Sequence, residues 1–178
     1  MLYAYTEESL MIKYFWYSLK KKVLPRQAVI FFNTSTLSGK KRCKILLKSG
    51  IIADQSVSIT SPVYFEFGNI KLIGDVFINA NCNFLDNALI TIDHNTMIGA
   101  NVTISTVSHP VSPEKRHSNN IILPVNIGKN AWIGAGAVIL PGITIGDNSI
   151  IAANSVVNHD IPADSLYAGT PARFIKTV

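Results

Sequence analysis

The chain has 178 residues, of which 48% are hydrophobic and 15% charged, and its formal net charge is +5. This length favours one domain with a buried core, and the low charged fraction excludes a disordered chain. The sequence has no stripe of Lys and Arg interleaved with aromatic residues, so we expect no nucleic-acid partner. The excess of basic residues therefore favours an anionic small ligand or an anionic membrane surface as the partner.

The two cysteines, Cys43 and Cys82, have neither the spacing of a metal site nor that of a disulfide framework, which favours a reduced, cytoplasmic setting. The first residues lack a basic n-region before their apolar run and a small-residue cleavage site after it, so no signal peptide is predicted. The run LMIKYFWYSL is also too short, and interrupted by Lys13, to span a bilayer.

The first predicted element is an α-helix over residues 5–23, capped by Thr6 with Glu8 close behind and ended by Pro25. Its sequence YFWYSLKKK places aromatic residues directly before three lysines. Such a segment could lie on the inner face of a membrane through residues 10–22, or pack on the rest of the chain or on a neighbouring subunit. We favour packing, because stable anchoring usually needs more than one signal.

Residues 26–50 show no clear periodicity, and together with the helix they make up the N-terminal region, 1–50. The run VIFF could form a strand, and GKKRCK is predicted to be a charged turn in a solvated loop.

A period of six organises the segment IGKNAWIGAGAVILPGITIGDNSIIAANSVVN. Large aliphatic residues occupy every sixth position, at Ile127, Ile133, Ile139, Ile145, Ile151 and Val157. Residues that tolerate positive φ also recur every six, at Asn130, Gly136, Gly142, Asn148 and Asn154. Six is neither the helical period of 3.6 nor the strand period of 2. It predicts an all-β solenoid of hexapeptide repeats, in which eighteen residues complete a triangular coil.

The same spacing predicts a solenoid domain over residues 51–178. Anchors in phase are Ile51, Val57 and Val63, then Ile92, Ile98 and Ile104. The less regular residues 64–90 offer Ile73, Ile78, Phe84 and Ile90 as further candidates.

The phase breaks between Ile104 and Ile127, which lie 23 residues apart, one short of four repeats. The intervening TVSHPVSPEKRHSNNIILP contains three prolines and no anchors, so residues 106–124 are predicted to leave the solenoid as an extended loop. Long loops inside a compact repeat are usually functional. Pro162 and Pro171 then stop further coiling, which predicts a closing tail over residues 159–178.

This loop, residues 106–124, is called the excursion below. His109 lies near its start and is the candidate general base, because imidazole can accept a hydroxyl proton near neutral pH. A zinc site of the γ-carbonic-anhydrase type would need three converging histidines. The sequence has no HxxxxH pair, and His94 occupies a turn position of its repeat. We therefore expect no metal.

Three stretches resemble the hexapeptide acyltransferases, close to the maltose and galactoside O-acetyltransferases. They are NANCNFLDNALITIDHNTMIGANVTISTVSHPVSPEKR, NAWIGAGAVILPGITIGDNSIIAANSVV and AGTPAR, within residues 60–175. The resemblance implies a left-handed parallel β-helix, a homotrimer, and acetyl-CoA bound in the clefts between subunits.

The resemblance also implies residue roles. His109 matches the catalytic base, and the backbone N–H of Ala135 matches the donor to the oxyanion. Asn81 and Asp86 match positions that bind the carbohydrate acceptor. The positions matched to coenzyme binding are Trp132, Ala135, Ala153, Thr170, Arg173 and Lys176. No Ser or Cys nucleophile is implied, so transfer is expected to be direct.

The predicted function is thus transfer of acetyl from acetyl-CoA to a sugar hydroxyl. Residues 1–50 do not look like the N-terminal segment of the maltose-type enzymes, which favours a bacterial surface glycan or its lipid-linked precursor as acceptor. The alternatives are a free maltose or galactoside acceptor, a zinc-dependent γ-carbonic-anhydrase-like protein, and a non-catalytic scaffold.

Overall fold

The computed structural model describes residues 6–54 and 56–178. Helix α1 spans Glu7–Leu19, and its N-terminus is capped as predicted, since the Ser9 N–H donates to the Thr6 hydroxyl at 3.3 Å. The predicted helix start at residue 5 lies outside the described residues, and the helix ends four residues before the predicted boundary.

Most of residues 26–50 are helical, so the predicted strand at VIFF and the predicted charged turn at GKKRCK are wrong. Helix α2 spans Pro25–Thr34 and helix α3 spans Gly39–Leu46, followed by a 3₁₀ turn at Leu47–Ser49. Pro25 begins a helix, because proline at the first helical position loses no hydrogen bond. The VIFF run buries Val29, Phe31 and Phe32, and four apolar residues are too few to separate a strand from a buried helix face.

The rest of the chain winds into a parallel β-solenoid with three faces, as predicted. Face A holds β1 (Ile52–Ala53), β4 (Ile70–Leu72), β7 (Ile90–Ile92), β12 (Val125–Ile127) and β15 (Thr144–Ile145). Face B holds β2 (Ser58–Ile59), β5 (Phe77–Ile78), β8 (Met97–Ile98), β13 (Trp132–Ile133), β16 (Ile150–Ile151), β18 (Ser165–Gly169) and the antiparallel β19 (Ala172–Thr177). Face C holds β3 (Val63–Phe65), β6 (Cys82–Leu85), β9 (Thr103–Ser105), β14 (Val138–Ile139) and β17 (Val156–Val157). Strands β10 (Val107–Ser108) and β11 (Ile121–Ile122) form a separate pair.

The six aliphatic anchors predicted between residues 127 and 157 are all buried, at 2% exposure or less. The five corner residues predicted from the same repeat all adopt positive φ, between 53° and 83°. Side chains also link corners of successive coils: the Asn130 amide donates to Asn148 at 3.0 Å, and the Asn148 amide to Asp164 at 2.7 Å. Core stacking and corner hydrogen bonds therefore repeat together along the solenoid axis.

The irregular coils explain why Ile73 is not a core anchor. Leu72 fills the core instead and pairs with Ile92 of the next coil, while Ile73 is only half-buried. Ile70 pairs with Ile90, a repeat of 20 residues, whereas Asn126 pairs with Thr144, a repeat of 18. Two extra corner residues therefore shift the phase that the regular spacing predicts.

Shortening one core anchor should measure how tightly the coils stack. Ile139 is fully buried and pairs with Ile104 below and Val157 above. Ile139→Val should lower the free energy of unfolding by about 0.5–1.5 kcal/mol, measured by urea denaturation. Ile52→Val is the matched control, because Ile52 is 62% exposed; an equal loss in both variants would contradict the predicted core.

Candidate active site

The excursion leaves the solenoid after β9, at the corner between faces C and A. Strands β10 and β11 pair in antiparallel fashion, with Val107 opposite Ile122 and Ser108 opposite Ile121. The predicted extended loop over residues 106–124 is thus a two-stranded hairpin at its root. A hairpin satisfies backbone groups that a free loop would leave to water.

Thr106 fastens the root of the hairpin to the coil below. Its hydroxyl donates to the Leu85 carbonyl at 2.7 Å and accepts from the Ala88 N–H at 2.8 Å. Its carbonyl accepts from the Leu123 N–H at 2.9 Å. The side chain is fully buried, so both strands of the hairpin start from a fixed point on the solenoid.

His109 follows β10 directly and is exposed. Among the described residues, no hydrogen-bond partner is found for its ring. The tip of the hairpin is held by its own contacts: the Ser112 hydroxyl donates to Glu114, which lowers the pKa of that carboxyl, and Arg116 donates to the Val111 carbonyl at 3.2 Å. The imidazole is thus presented on an anchored segment and is available to a ligand.

Ala135 lies at the corner between faces B and C, and its N–H is uncovered. A Cβ on Gly99, in the coil below, would come within 2.7 Å of the Ala135 nitrogen. A Cβ on Gly134 would likewise come within 2.5 Å of the Ala153 nitrogen. Glycine at these two positions lets the coils approach and leaves no side chain over the N–H groups.

Three successive coils present such N–H groups along this corner. Within residues 56–178, the N–H groups of Ala100, Ala135 and Ala153 have no hydrogen-bond acceptor in the chain. One coil lower the pattern ends, because the Asn79 side chain accepts from the Ala80 N–H at 2.8 Å. The column can therefore donate to a bound acceptor along the corner.

An apolar strip runs beside this column on the outside of face B. Trp132 is 51% exposed and lies in register with Met97 below and Ile150 above. Met97 in turn lies in register with the exposed Phe77. Exposed apolar strips of this kind indicate a binding surface.

The C-terminal strands place two of the three predicted tail residues near this corner. The Thr170 hydroxyl donates at 3.2 Å to the carbonyl of Asn154, the residue after Ala153. Arg173 is exposed at the start of β19, opposite Ala168. Lys176 pairs with Leu166, towards the other end of β18, so it lies away from the N–H column.

The predicted acceptor residues are not brought together. Asn81 is exposed at the corner between faces B and C, with φ 62°. The prediction that Asp86 orients sugar hydroxyls is wrong, because its side chain is 0% exposed. Its carboxylate accepts from the N–H groups of Glu66, Phe67 and Asn69, at 2.8–3.3 Å. Asp86 therefore shapes the loop 66–69 of the neighbouring coil.

A cleft that the sequence did not reveal lies between α2 and this loop. It has a volume of about 400 Å³ and is lined by Arg26, Val29, Ile30, Tyr64, Phe65 and Glu66. It combines an aromatic side chain with a guanidinium and a carboxylate, a set suited to a hydroxyl-rich ligand. It was missed because it depends on α2, which was predicted to be a connector.

His109 and Ala135 lie at opposite edges of face C within one chain. His109 follows β10, which continues from the end of the face C strand β9, whereas Ala135 precedes the face C strand β14. A strand of three residues separates the two edges by about 10 Å. The two predicted catalytic groups therefore do not meet across face C of a single chain.

Neither of the two cysteines is a candidate nucleophile. Burial raises the pKa of both the Cys43 and the Cys82 thiols. Cys82 lies in β6 with no exposed surface, and its sulfur contacts the Gly99 carbonyl at 3.2 Å. A raised pKa leaves little of the reactive thiolate near neutral pH.

Alkylation of the native protein should therefore be slow at neutral pH, with Cys82 slower than Cys43. The rate should rise with pH, because the thiolate fraction grows only as pH approaches a pKa that lies above its ordinary value. Mass spectrometry after iodoacetamide treatment would measure both sites, with denatured protein as the reference. Rapid native labelling of Cys82 at neutral pH would contradict the buried position.

Two further properties concern only the part of the chain that the structure describes. No group of three or more His, Cys, Asp or Glu side chains there could hold a metal ion, and His94 instead contacts the neighbouring Asp93 at 2.8 Å. No helix there is long and apolar enough to cross a bilayer.

Known proteins share this architecture. The family described as "Bacterial transferase hexapeptide (six repeats)" matches residues 124–159. The galactoside O-acetyltransferase of Escherichia coli K12 is 36% identical over 162 residues, covering 89% of this chain and 80% of that protein. The maltose O-acetyltransferase of Clostridium difficile 630 superimposes with a TM-score of 0.81 at 36% identity, covering 98% of this chain and 91% of that one. A hexapeptide-repeat acetyltransferase of Vibrio cholerae, solved with acetyl-CoA, gives 0.81 at 34% identity, covering 86% and 84%.

Proposed function

This chain belongs to the hexapeptide-repeat acetyltransferases, and from that premise we propose that it acetylates a carbohydrate hydroxyl with His109 as the general base. At the coarser level it is an acetyl-CoA-dependent O-acetyltransferase of the galactoside and maltose type. The observation that carries the finer proposal is the hairpin that projects an exposed His109 with no partner in the described chain.

Acetyl-CoA, when bound, supplies the thioester carbonyl that the acceptor oxygen attacks. His109 takes the hydroxyl proton as the new C–O bond forms, which raises the nucleophilicity of the acceptor oxygen. The Ala135 N–H donates to the carbonyl oxygen as it gains negative charge. The C–S bond then breaks, the coenzyme thiol leaves, and His109 can return the proton to the sulfur.

The coenzyme is proposed to lie along the corner between faces B and C. The uncovered N–H of Ala135 would donate to its thioester carbonyl oxygen and that of Ala153 to an amide or phosphate oxygen, and the Trp132 ring would cover its apolar part. Thr170 and the guanidinium of Arg173 lie at the upper end of the same corner, where they suit phosphate groups. Lys176 is a weaker candidate because it lies towards the other end of β18.

We further propose that the active enzyme is a homotrimer. The separation of His109 from Ala135 across face C supports this assembly, because a neighbouring chain can bring its own corner to the hairpin. Three chains packed around a threefold axis form three equivalent clefts, one between each pair of neighbours. Each cleft would then combine His109 of one chain with Ala135 of another.

The acceptor is proposed to be a sugar unit of a surface glycan or of its precursor. The cleft lined by Arg26, Tyr64 and Glu66 lies towards the corner from which the hairpin departs, and Asp86 holds its loop 66–69 in place. Asn81, at the opposite corner, is the less favoured acceptor contact. The expectation that residues 1–50 differ from the N-terminal segment of the maltose-type enzymes is wrong, because the match to the maltose enzyme covers 98% of this chain and so includes its N-terminal helices. A free maltose or galactoside is therefore the second candidate.

Release of free coenzyme thiol from acetyl-CoA would be followed against maltose, galactosides, nucleotide sugars and short surface-glycan oligosaccharides. Turnover on the oligosaccharides alone would support the glycan acceptor, and turnover on free maltose or galactosides would replace it by the second candidate. No turnover on any sugar, together with no binding of acetyl-CoA, would overturn the proposed function.

A further inference from the structure

Helix α1 has two apolar faces, and only one of them is used inside the chain. Leu10 and Tyr17 are buried, and the Tyr17 ring packs edge-to-face on Phe31 of α2 with centroids 5.7 Å apart. This inner face accounts for the predicted packing of the helix on the rest of the chain. It leaves the opposite face without an intramolecular role.

The outer face carries a continuous stripe of large apolar side chains. Its members are Ile12, Phe15, Trp16 and Leu19, each 61–68% exposed. They are spaced at i, i+3, i+4 and i+7, which places them along one side of a helix. Exposed apolar surface of this extent on one helix indicates a partner.

Positive charge is concentrated in the same region of the chain. Residues 1–50 contain ten Lys and Arg against two Glu, a formal charge of +8, whereas the remainder has six against nine, a formal charge of −3. The region that carries the apolar stripe is therefore the one that an anionic surface would attract.

Several of these lysines contact α1 itself. The Lys48 ammonium donates to the Ser18 and Lys20 carbonyls at 2.7 and 2.6 Å, at the C-terminal end of the helix. Lys41 lies 5.6 Å from the centre of the Tyr14 ring, and Lys20 lies 5.6 Å from that of Tyr17. Within the described ranges, none of these three lysines is paired with a carboxylate. The helix is thus bordered by uncompensated positive charge.

From the stripe and its border of lysines we propose that α1 docks on an anionic membrane surface. The helix has 13 residues, too few to cross a bilayer, so it lies in the interface with its apolar stripe among the acyl chains. The lysines contact the lipid phosphates and supply the second signal that stable binding needs. The solenoid of a neighbouring copy is the alternative occupant of this face, and the oligomeric state of stripe variants distinguishes it from a membrane.

Flotation of the full chain with lipid vesicles tests the proposal. Binding should be strong to an equal mixture of phosphatidylcholine and phosphatidylglycerol and weak to phosphatidylcholine alone. Raising the salt concentration to about 1 M, where the Debye length is about 3 Å, should weaken it. No preference for the anionic vesicles would overturn the proposal.

Substitutions locate the binding face. The double variant Phe15→Gln, Trp16→Gln should lower the partition coefficient by about tenfold or more, because both rings are exposed and would insert. Ile12→Gln should also weaken binding, whereas Ile52→Gln should not; these isoleucines are 63% and 62% exposed, on the helix and on the solenoid.

Two results would overturn the assignment of this face. One is equal vesicle binding by the Ile12 and Ile52 variants. The other is a smaller oligomer for the Phe15, Trp16 double variant in light scattering, which would identify the stripe as a contact between copies. All four positions are exposed, so the variants should fold, and sugar acetylation in solution gives an independent check that they do.

Discussion

Replacing His109 by alanine should lower kcat by about 10²- to 10⁴-fold, the usual contribution of a general base. Two structural features indicate that the variant should lose all of the general-base catalysis. The ring has no partner among the described residues that could relay or replace its proton transfer. The backbone around it is fixed through Thr106, so a smaller side chain should leave the hairpin in place.

The measurement is steady-state release of coenzyme thiol, with acetyl-CoA binding followed separately by calorimetry. We expect an unchanged dissociation constant for acetyl-CoA, because the proposed coenzyme contacts come from the corner between faces B and C and do not include the His109 side chain. His117→Ala is the matched control, since His117 is an exposed histidine on the same excursion. Full activity in His109→Ala, or an equal loss in both variants, would remove His109 from the mechanism.

Regular repetition is what made the solenoid predictable from its sequence. The anchor at each sixth position and the Asn or Gly at each corner report the same coil geometry independently, and both are found where the spacing puts them. The prediction of core anchors failed at Ile73, where the corners of the coils contain extra residues. Each extra residue shifts all later positions in a count of six made along the sequence. Pairing between coils restores the true register, and only the folded structure shows it.

The helices and the site depend on contacts that a local pattern does not contain. Helix α3 was hidden in GKKRCK because its buried residues, Ile45 and Leu46, follow the charged run. The hairpin was expected as a loop because its two strands lie on either side of a polar tip. His109 and Ala135 are 26 residues apart in sequence and lie at two different edges of the solenoid. Their relative position therefore depends on the folded structure.

Asp86 is the clearest case in which a local pattern was insufficient. A carboxylate beside a predicted sugar site can either bind the sugar or hold a neighbouring loop in place. The resemblance of NCNFLD to the family implied an acceptor contact at this position, and nothing in the sequence places Asp86 below the surface. The three N–H groups that it accepts belong to residues 66–69 of the preceding coil, which lie 17–20 residues away. Its role is therefore to hold a loop.

Asp86→Ala should lower the free energy of unfolding by about 3–5 kcal/mol, because three backbone N–H groups lose their acceptor and each unsatisfied group costs about 1–3 kcal/mol. Asp86→Asn should lose less, since the amide oxygen can still accept from part of the loop. Urea denaturation would measure both changes. The comparison is Asp160→Ala, in which an exposed carboxylate accepts a single N–H, that of Thr144 at 2.7 Å; we expect that loss to be about 1 kcal/mol.

The two explanations of Asp86 also separate in the kinetics of the Asp86→Asn variant. A carboxylate that only shapes the loop should raise KM for the acceptor moderately, through a less ordered Glu66 and Phe67, and should leave KM for acetyl-CoA unchanged. A carboxylate that binds the sugar directly should raise acceptor KM without any loss of stability. Because its side chain has no exposed surface, we expect the loss of stability and the rise in acceptor KM to occur together, and a rise in KM alone would restore the original assignment.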